Sequence, residues 1–138
     1  MKYFIGNWKM FGVPRSINIL NKINSFKSRD KHRNKYKIVI TPPYTLLESF
    51  VKYFKNKKII IGSQNCYQID QYSSNTGAVS PFMIRSLGVK YTLIGHSDNR
   101  AEGDTDSILK DKVKFALKNN FKIVYCIGEN RYQKKNNQ

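Results

Sequence analysis

At positions 96 to 98 a histidine, a serine and an aspartate follow directly on Tyr91-Thr92-Leu93-Ile94-Gly95, and Asn99 and Arg100 continue the polar run. Four strand-forming residues bounded by Gly and polar side chains read as a fully buried strand of a parallel sheet. His96 then stands where that strand ends and its loop begins, the edge that carries ligand sites in α/β proteins. A histidine there either moves a proton near neutral pH or satisfies a structural hydrogen bond, and this stretch alone leaves both open. A second stretch of the same construction opens the chain. Tyr3-Phe4-Ile5-Gly6 leads into Asn7-Trp8-Lys9-Met10.

Both stretches need a scaffold that brings strand ends together. Tyr3–Gly6 reads as the first strand. Pro14 and Ser16 open a helix with Ile17, Leu20 and Ile23 on one face. A charged connector holding an exposed His32 leads to the second strand, Lys37–Thr41, which Pro42-Pro43 ends because proline cannot continue the ladder. Leu46, Leu47, Phe50, Val51 and Phe54 then form the core stripe of a second helix. Ile59–Gly62 is the third strand, with Ser63-Gln64-Asn65-Cys66 at its C-terminal edge and a polar loop from Gln68 to Thr76. Ser80 and Pro81 read as the N-cap and first turn of a third helix, and Gly88 as the glycine beyond its end. After the fourth strand, Tyr91–Ile94, Asp104 or Thr105 caps a helix that buries Ile108, Leu109, Val113, Ala116 and Leu117. Ile123–Ile127 is the fifth strand, and Asn130–Gln138 is polar and basic without an apolar face. Strands alternating with helices predict a parallel sheet with right-handed crossovers. Periodicity alone does not separate an open doubly wound sheet from a barrel.

Taken together, Gly6-Asn7-Trp8-Lys9-Met10 and Ile94-Gly95-His96-Ser97-Asp98-Asn99-Arg100 resemble triosephosphate isomerase. Gln64-Asn65, Thr76-Gly77 and Cys126-Ile127-Gly128-Glu129 are similar to that family too, in the same order. The resemblance covers essentially the whole chain and implies an α/β fold: a single domain, residues 1–138, forming part of a (β/α)8 TIM barrel with five parallel strands and four complete helices. Barrels of this kind run to about 250 residues, so the chain corresponds to the N-terminal part of one, ending after the fifth strand. The implied reaction interconverts dihydroxyacetone phosphate and glyceraldehyde 3-phosphate, in glycolysis and gluconeogenesis, through an enediolate and without a cofactor or metal. Such chemistry needs a base, donors for the developing oxyanion, a cation for the phosphate and exclusion of water.

By the same resemblance His96 is the neutral electrophile that donates to the substrate oxygens. Asn7 and Lys9 bind substrate, Lys9 with its charge. Gln64, Asn65 and Thr76 belong to a loop region that reaches into the partner subunit of a homodimer. Ser97, Asp98 and Arg100 support the histidine. The family is the type case of a catalytic histidine kept neutral by a helix N-terminus, and the residues after Cys126, Gly128 and Glu129, would open that helix. Three positions depart from the pattern: Asp98 stands for the family's Glu, Asn99 for its Arg, and Ala78 for the Glu after Thr-Gly. The lost Glu and Arg usually pair across the dimer, so their joint absence leaves no buried charge unpaired. The catalytic Glu base, the closing lid and the later phosphate loops have no counterpart among the 138 residues. Loss of a general base alone lowers rate by about 10²–10⁴. The expectation is a chain inactive by itself, which a complementary C-terminal half would complete. The alternative is a non-catalytic half-barrel, a structural or interaction module, with a basic nucleic-acid binder as its variant.

Composition bounds these readings. Forty per cent hydrophobic residues suffice for a core, and no apolar run approaches the length of a membrane span or a signal peptide. Cys66 and Cys126 lack metal-type spacing and read as buried strand-end thiols of a reducing compartment, the cytoplasm. The net charge of +16, from 25 basic and 9 acidic residues, raises the question of a polyanion partner. Without a nucleic-acid motif, and with a heavy Lys/Asn/Ile bias, most of the charge reads as a solvated outer surface that steers anionic substrates.

Overall fold

The computed structural model describes residues 1–129 and 134–135. The elements follow one another as β1 (Lys2–Asn7), a 3-10 turn (Pro14–Ser16), α1 (Ile17–Arg29), β2 (Tyr36–Thr41), α2 (Tyr44–Phe54), β3 (Ile59–Ile61), α3 (Pro81–Ser86), β4 (Tyr91–Ile94), α4 (Ser97–Ala101), α5 (Asp106–Lys118) and β5 (Lys122–Tyr125). β1 pairs with β2 and β2 with β3, all parallel, with Gly6 opposite Ile40 and Ile40 opposite Ile61. β4 pairs with β5 in parallel, Ile94 opposite Tyr125.

The expected single sheet is thus two sheets in sequence order, joined by one parallel bridge between Ser63 and Thr92. β3 is only three residues long, and Gly62 gives its amide to Ile40 on the β2 side, at 2.8 Å. Ser63 alone spans the seam, donating to the Tyr91 carbonyl at 2.9 Å and accepting from the Leu93 amide at 3.0 Å. Gly62 permits this approach, because a Cβ there would stand 3.1 Å from the Tyr91 carbonyl.

Caps place the helices where the sequence puts them. The Ser80 hydroxyl accepts from the Met83 amide at 3.2 Å, Pro81 occupies the first turn, and Gly88 closes the helix with φ +91°. Thr105, not Asp104, caps α5, accepting from the Ile108 amide at 3.3 Å. The core gathers Leu20 of α1, Leu46, Leu47 and Phe50 of α2, Ile61, Ile84, Ile94, Leu109 and Ala116.

Several expectations are corrected. Leu117 is 58 % exposed, since it lies one position past the Leu109–Lys112–Ala116 face of α5. β5 stops at Tyr125 and Ile127 is 86 % exposed, although the Cys126 amide still reaches the Ile94 carbonyl at 2.8 Å. Cys66 is buried but Cys126 only half-buried. Two lysines stand apart from the largely solvated charge: Lys27 and Lys112 are buried. Lys27 donates to the Tyr36 carbonyl at 2.7 Å with its ammonium 4.3 Å from the Tyr36 ring centroid, and burial lowers its pKa. α4 was not anticipated. The polar tail Asn130–Gln138 lies outside the described residues except at positions 134–135. No helix is long and apolar enough to cross a membrane.

Candidate functional site

The residues at the C-terminal ends of β1 to β3 converge around the backbone of Lys9, and those after β4 meet its side chain. Asn7 closes β1, and its Oδ1 accepts from the Lys9 amide at 2.8 Å, turning the chain back two residues later. Lys9 adopts φ +51°, the left-handed region that a long side chain rarely occupies. Such backbone persists only where surroundings over-determine it. Here Gln64, just beyond β3, does so. Its Nε2 donates to the Lys9 carbonyl and to the Thr41 carbonyl at the end of β2, both at 2.8 Å. The Trp8 amide donates to that same Thr41 carbonyl at 3.1 Å, and the Trp8 ring packs edge-on against Phe50 in the core. Trp8 therefore anchors the loop while Lys9 projects from it.

The Lys9 ammonium reaches Asp98 Oδ2 at 3.2 Å, across 89 residues of sequence, and both side chains are half-exposed. His96 Nδ1 lies 3.5 Å from that same oxygen. His96 follows Gly95 at the end of β4 and caps α4, its Nδ1 accepting from the Asp98 amide at 3.1 Å. An Nδ1 that accepts a hydrogen bond carries no proton, so the neutral ring holds its hydrogen on Nε2. With Nδ1 engaged by the Asp98 amide, Nε2 is the ring nitrogen left to face a ligand, and Asp98 holds the Lys9 ammonium alongside. The Asp98 carboxylate suffices to reach Lys9 despite being one methylene shorter than Glu.

Arg100 locks this corner. Its Nε donates to the Gly95 carbonyl at 2.9 Å, and its other nitrogens reach the Tyr125 hydroxyl at 3.3 Å, the Cys126 carbonyl at 3.5 Å and Asp106 at 3.4 Å. Gly95 has φ +77°, and a Cβ there would stand 3.0 Å from the guanidinium. Only glycine lets Arg100 close over the strand end.

Asn65 serves a buried cluster. Its Oδ1 accepts from the Lys112 ammonium at 3.1 Å and the Cys66 amide at 2.9 Å, and its carbonyl accepts from the Tyr44 hydroxyl at 2.7 Å. Lys112 also donates to both oxygens of Asp104, at 2.7 and 2.8 Å, with the two side chains 4 % and 12 % exposed. Burial pushes the neighbouring Cys66 thiol up to about 12, so it stays protonated and inert. The sequence reading took Asp104 only as a candidate helix cap and missed Lys112. The signal was present: Lys112 falls at the i+3 position from Leu109 and four before Ala116, on the apolar face. Lys27 sits likewise on the face of Leu20 and Ile23.

The remaining candidates are less engaged. Ser97 is exposed in the first turn of α4, and Thr76 is exposed in the loop after β3. Their hydroxyls make no hydrogen bond among the described residues. Cys126 contributes its backbone, and burial raises its thiol pKa. Gly128 and Glu129 are exposed, and the helix expected to start there falls on residues beyond the described ones. Among the described residues no group of three or more His, Cys, Asp or Glu side chains is placed to hold a metal ion.

A family profile described as Triosephosphate isomerase matches residues 2–138. Triosephosphate isomerase of Alkaliphilus oremlandii is 33 % identical over 134 residues, 96 % of this chain and 52 % of that protein. The Bacteroides fragilis enzyme of the same name is 37 % identical over 126 residues, 90 % of this chain and 49 % of its own length. The crystal structure of triosephosphate isomerase from Bartonella henselae superposes with a TM-score of 0.90 at 32 % identity, covering 99 % of this chain and 55 % of that one. The chain thus spans about half the length of the curated relatives it matches, and its two short parallel sheets are part of the same α/β barrel wall. The strand ends that gather Asn7, Lys9, Gln64 and His96 are those of a chain that belongs to the triosephosphate isomerase family.

Proposed function

We propose that this chain carries the electrophilic half of an active site interconverting dihydroxyacetone phosphate and glyceraldehyde 3-phosphate. The observation that supports it most is the meeting of Lys9 and His96 at one Asp98 oxygen, 3.2 and 3.5 Å away. A neutral Nε2–H donor beside a fixed ammonium is what a developing enediolate oxygen and a dianionic phosphate call for. Lys9 binds the substrate anion in ground and transition state. His96 donates to the oxygens that gain charge as the proton leaves the adjacent carbon. Asn7 and Gln64 hold Lys9 in place through its backbone. The proton-abstracting carboxylate and the water-excluding lid come from residues other than these 138. Two free thiols fit the cytoplasm, and the exposed loop holding Thr76 and Tyr72 fits a homodimer contact.

The test follows isomerisation by the 138-residue chain alone and after a C-terminal half of a family member is supplied, separately or fused after Gln138. The chain alone is expected to show little or no turnover, and the completed barrel to turn over. Full activity in the chain alone would refute the assignment of the base elsewhere. A well-folded completed barrel without activity would leave a scaffold that has lost the reaction.

A further inference from the structure

A second cavity lies at the other end of the strands. It encloses about 800 Å³ and is reached past the N-terminal ends of β2, β4 and β5, where Lys37, Tyr91 and Lys122 stand. This size suits a small-molecule pocket. Its walls divide by chemistry. Val51 and Phe54 of α2, Ile60 of β3 and Leu87 after α3 form an apolar side. Lys37, Lys55, Lys57, Arg85, Lys90 and Lys122 line the rest. Among the described residues no carboxylate lines the cavity, and none of these six cations forms an ion pair. A further lining lysine, Lys52, is already paired with Glu48.

Tyr91 also lines the cavity; it is only 6 % exposed, its hydroxyl is shielded from solvent, and its ring stands 6.3 Å from that of Tyr3 between centroids. Burial first, and the Tyr3 phenol second, push its pKa up to about 12, so at neutral pH it is a donor. The Lys122 ammonium stands 5.7 Å from the Tyr91 ring centroid, and Lys37 stands 5.7 Å from that of Tyr3. Two cations therefore stand at one end of the cavity. Like charges gathered there repel one another, and an anion with several charges relieves that repulsion most.

We propose that this cavity binds a small polyphosphate, its phosphate chain on Lys37, Lys122 and Arg85, with Ile60 and Leu87 as the apolar wall. Arg85 offers its phosphate a planar fork. A nucleoside triphosphate and an inorganic polyphosphate share the phosphate chain, and they differ at the apolar wall. The site is remote from Lys9 and His96, and the inference does not rest on the isomerase reading.

The experiment is calorimetric titration of the full 138-residue chain with ATP and with inorganic tripolyphosphate, at about 50 and 200 mM salt. One-site binding of either probe, weaker at the higher salt, is expected. Tighter binding of ATP would assign the apolar wall to a base, and equal binding would assign the site to the phosphate chain alone. Both support the proposal. Lys37→Gln with Lys122→Gln should weaken binding at least about tenfold, as loss of two charge-assisted contacts requires. Lys90→Gln, at an exposed position that lines the cavity, should weaken it in the same direction, with the fold of each variant checked by near-ultraviolet circular dichroism. Lys110→Gln, exposed on α5, should change nothing. No binding of either probe to folded chain would overturn the proposal. So would binding abolished by Lys9→Met but untouched by Lys37→Gln/Lys122→Gln, or a twelve-residue oligothymidylate that outcompetes ATP at equal phosphate.

Discussion

At the scale of single residues, the site depends on side chains that spend their hydrogen bonds on backbone. Gln64 is the clearest, since one amide nitrogen serves the Lys9 and Thr41 carbonyls. Gln64→Ala should destabilise the fold by about 1–3 kcal/mol, the usual cost of stranding polar groups, and free Lys9 from its φ of +51°. Urea denaturation measures the first effect. In the completed barrel a rise in KM larger than the fall in kcat measures the second. His96→Gln should do the reverse, lowering kcat more than it raises KM, because its donor acts on charge that develops later. Lys9→Met should damage both terms. A His96→Gln enzyme with unchanged kcat would remove His96 from the electrophile's role. Lys112 tests a different economy of charge. Lys112→Met leaves Asp104 buried without its cation and should cost about 3–5 kcal/mol, whereas the double change with Asp104→Leu should recover much of it. Denaturation of the single and double variants decides the point.

At the scale of elements, the loop after β3 is tied to the C-terminal end of α5. Asp70 accepts from the Lys118 ammonium and from Asn119 Nδ2, the latter at 2.7 Å. Its carboxyl is held below the usual carboxylate range by Lys118 first and Asn119 second. A depressed folded pKa means the unfolded chain binds the proton more tightly. The stabilisation is therefore complete above the unfolded carboxylate range, near about pH 4, and is lost as pH falls through the lower folded value. Asp70→Asn should flatten the acid limb of a stability-versus-pH curve and leave the neutral region's slope unchanged. An acid limb identical in the variant would show that the tie carries no linkage. Gly95 marks the turn from β4 to α4. Gly95→Ala places a methyl 3.0 Å from the Arg100 guanidinium at a φ of +77°, and should loosen the latch between β4 and β5. Hydrogen exchange of the Cys126 amide, bonded to Ile94 at 2.8 Å, should quicken.

At the scale of the whole molecule, the outermost strands are bare. Tyr3, Phe4 and Ile5 of β1 are exposed, as are Met10 and Phe11 beyond it, and so are Tyr125 and Ile127 at the β5 side. Each outer strand also has only one strand neighbour among the described elements. Bare apolar edges invite pairing with another chain. The 138-residue chain should self-associate, or be partly unfolded, in spite of its charge of +16. Sedimentation velocity at tens of micromolar checks this, and a cooperative monomer there would contradict it. Supplying a complementary half should suppress the association as it restores turnover.

The sequence by itself determined what is local. A run of β-branched and aromatic residues followed by Gly places His96 at a strand end. Ser80-Pro81 starts a helix and Gly88 ends one, because caps and left-handed turns are decided within a few residues. The alternation of strand and helix settles parallel pairing, and the two motifs resemble one family closely enough to name the strand edge that matters. The tertiary structure alone decided what is distant or counter to composition. Nothing near position 9 says that its ammonium meets Asp98, or that Gln64 bends its backbone. Periodicity counts lysine as polar, so it passed over Lys27 and Lys112 on apolar faces, where burial is compensated by partners on neighbouring segments, the Tyr36 carbonyl and the Asp104 carboxylate. The single bridge across the break between β3 and β4 depends on how closely Gly62 lets two backbones approach. The basic cavity exists because lysines from separate elements, scattered in sequence and unremarkable there, come to one end of the sheet. Contacts across long loops depend on the closed geometry of the whole, and that geometry is set only once the strands have paired.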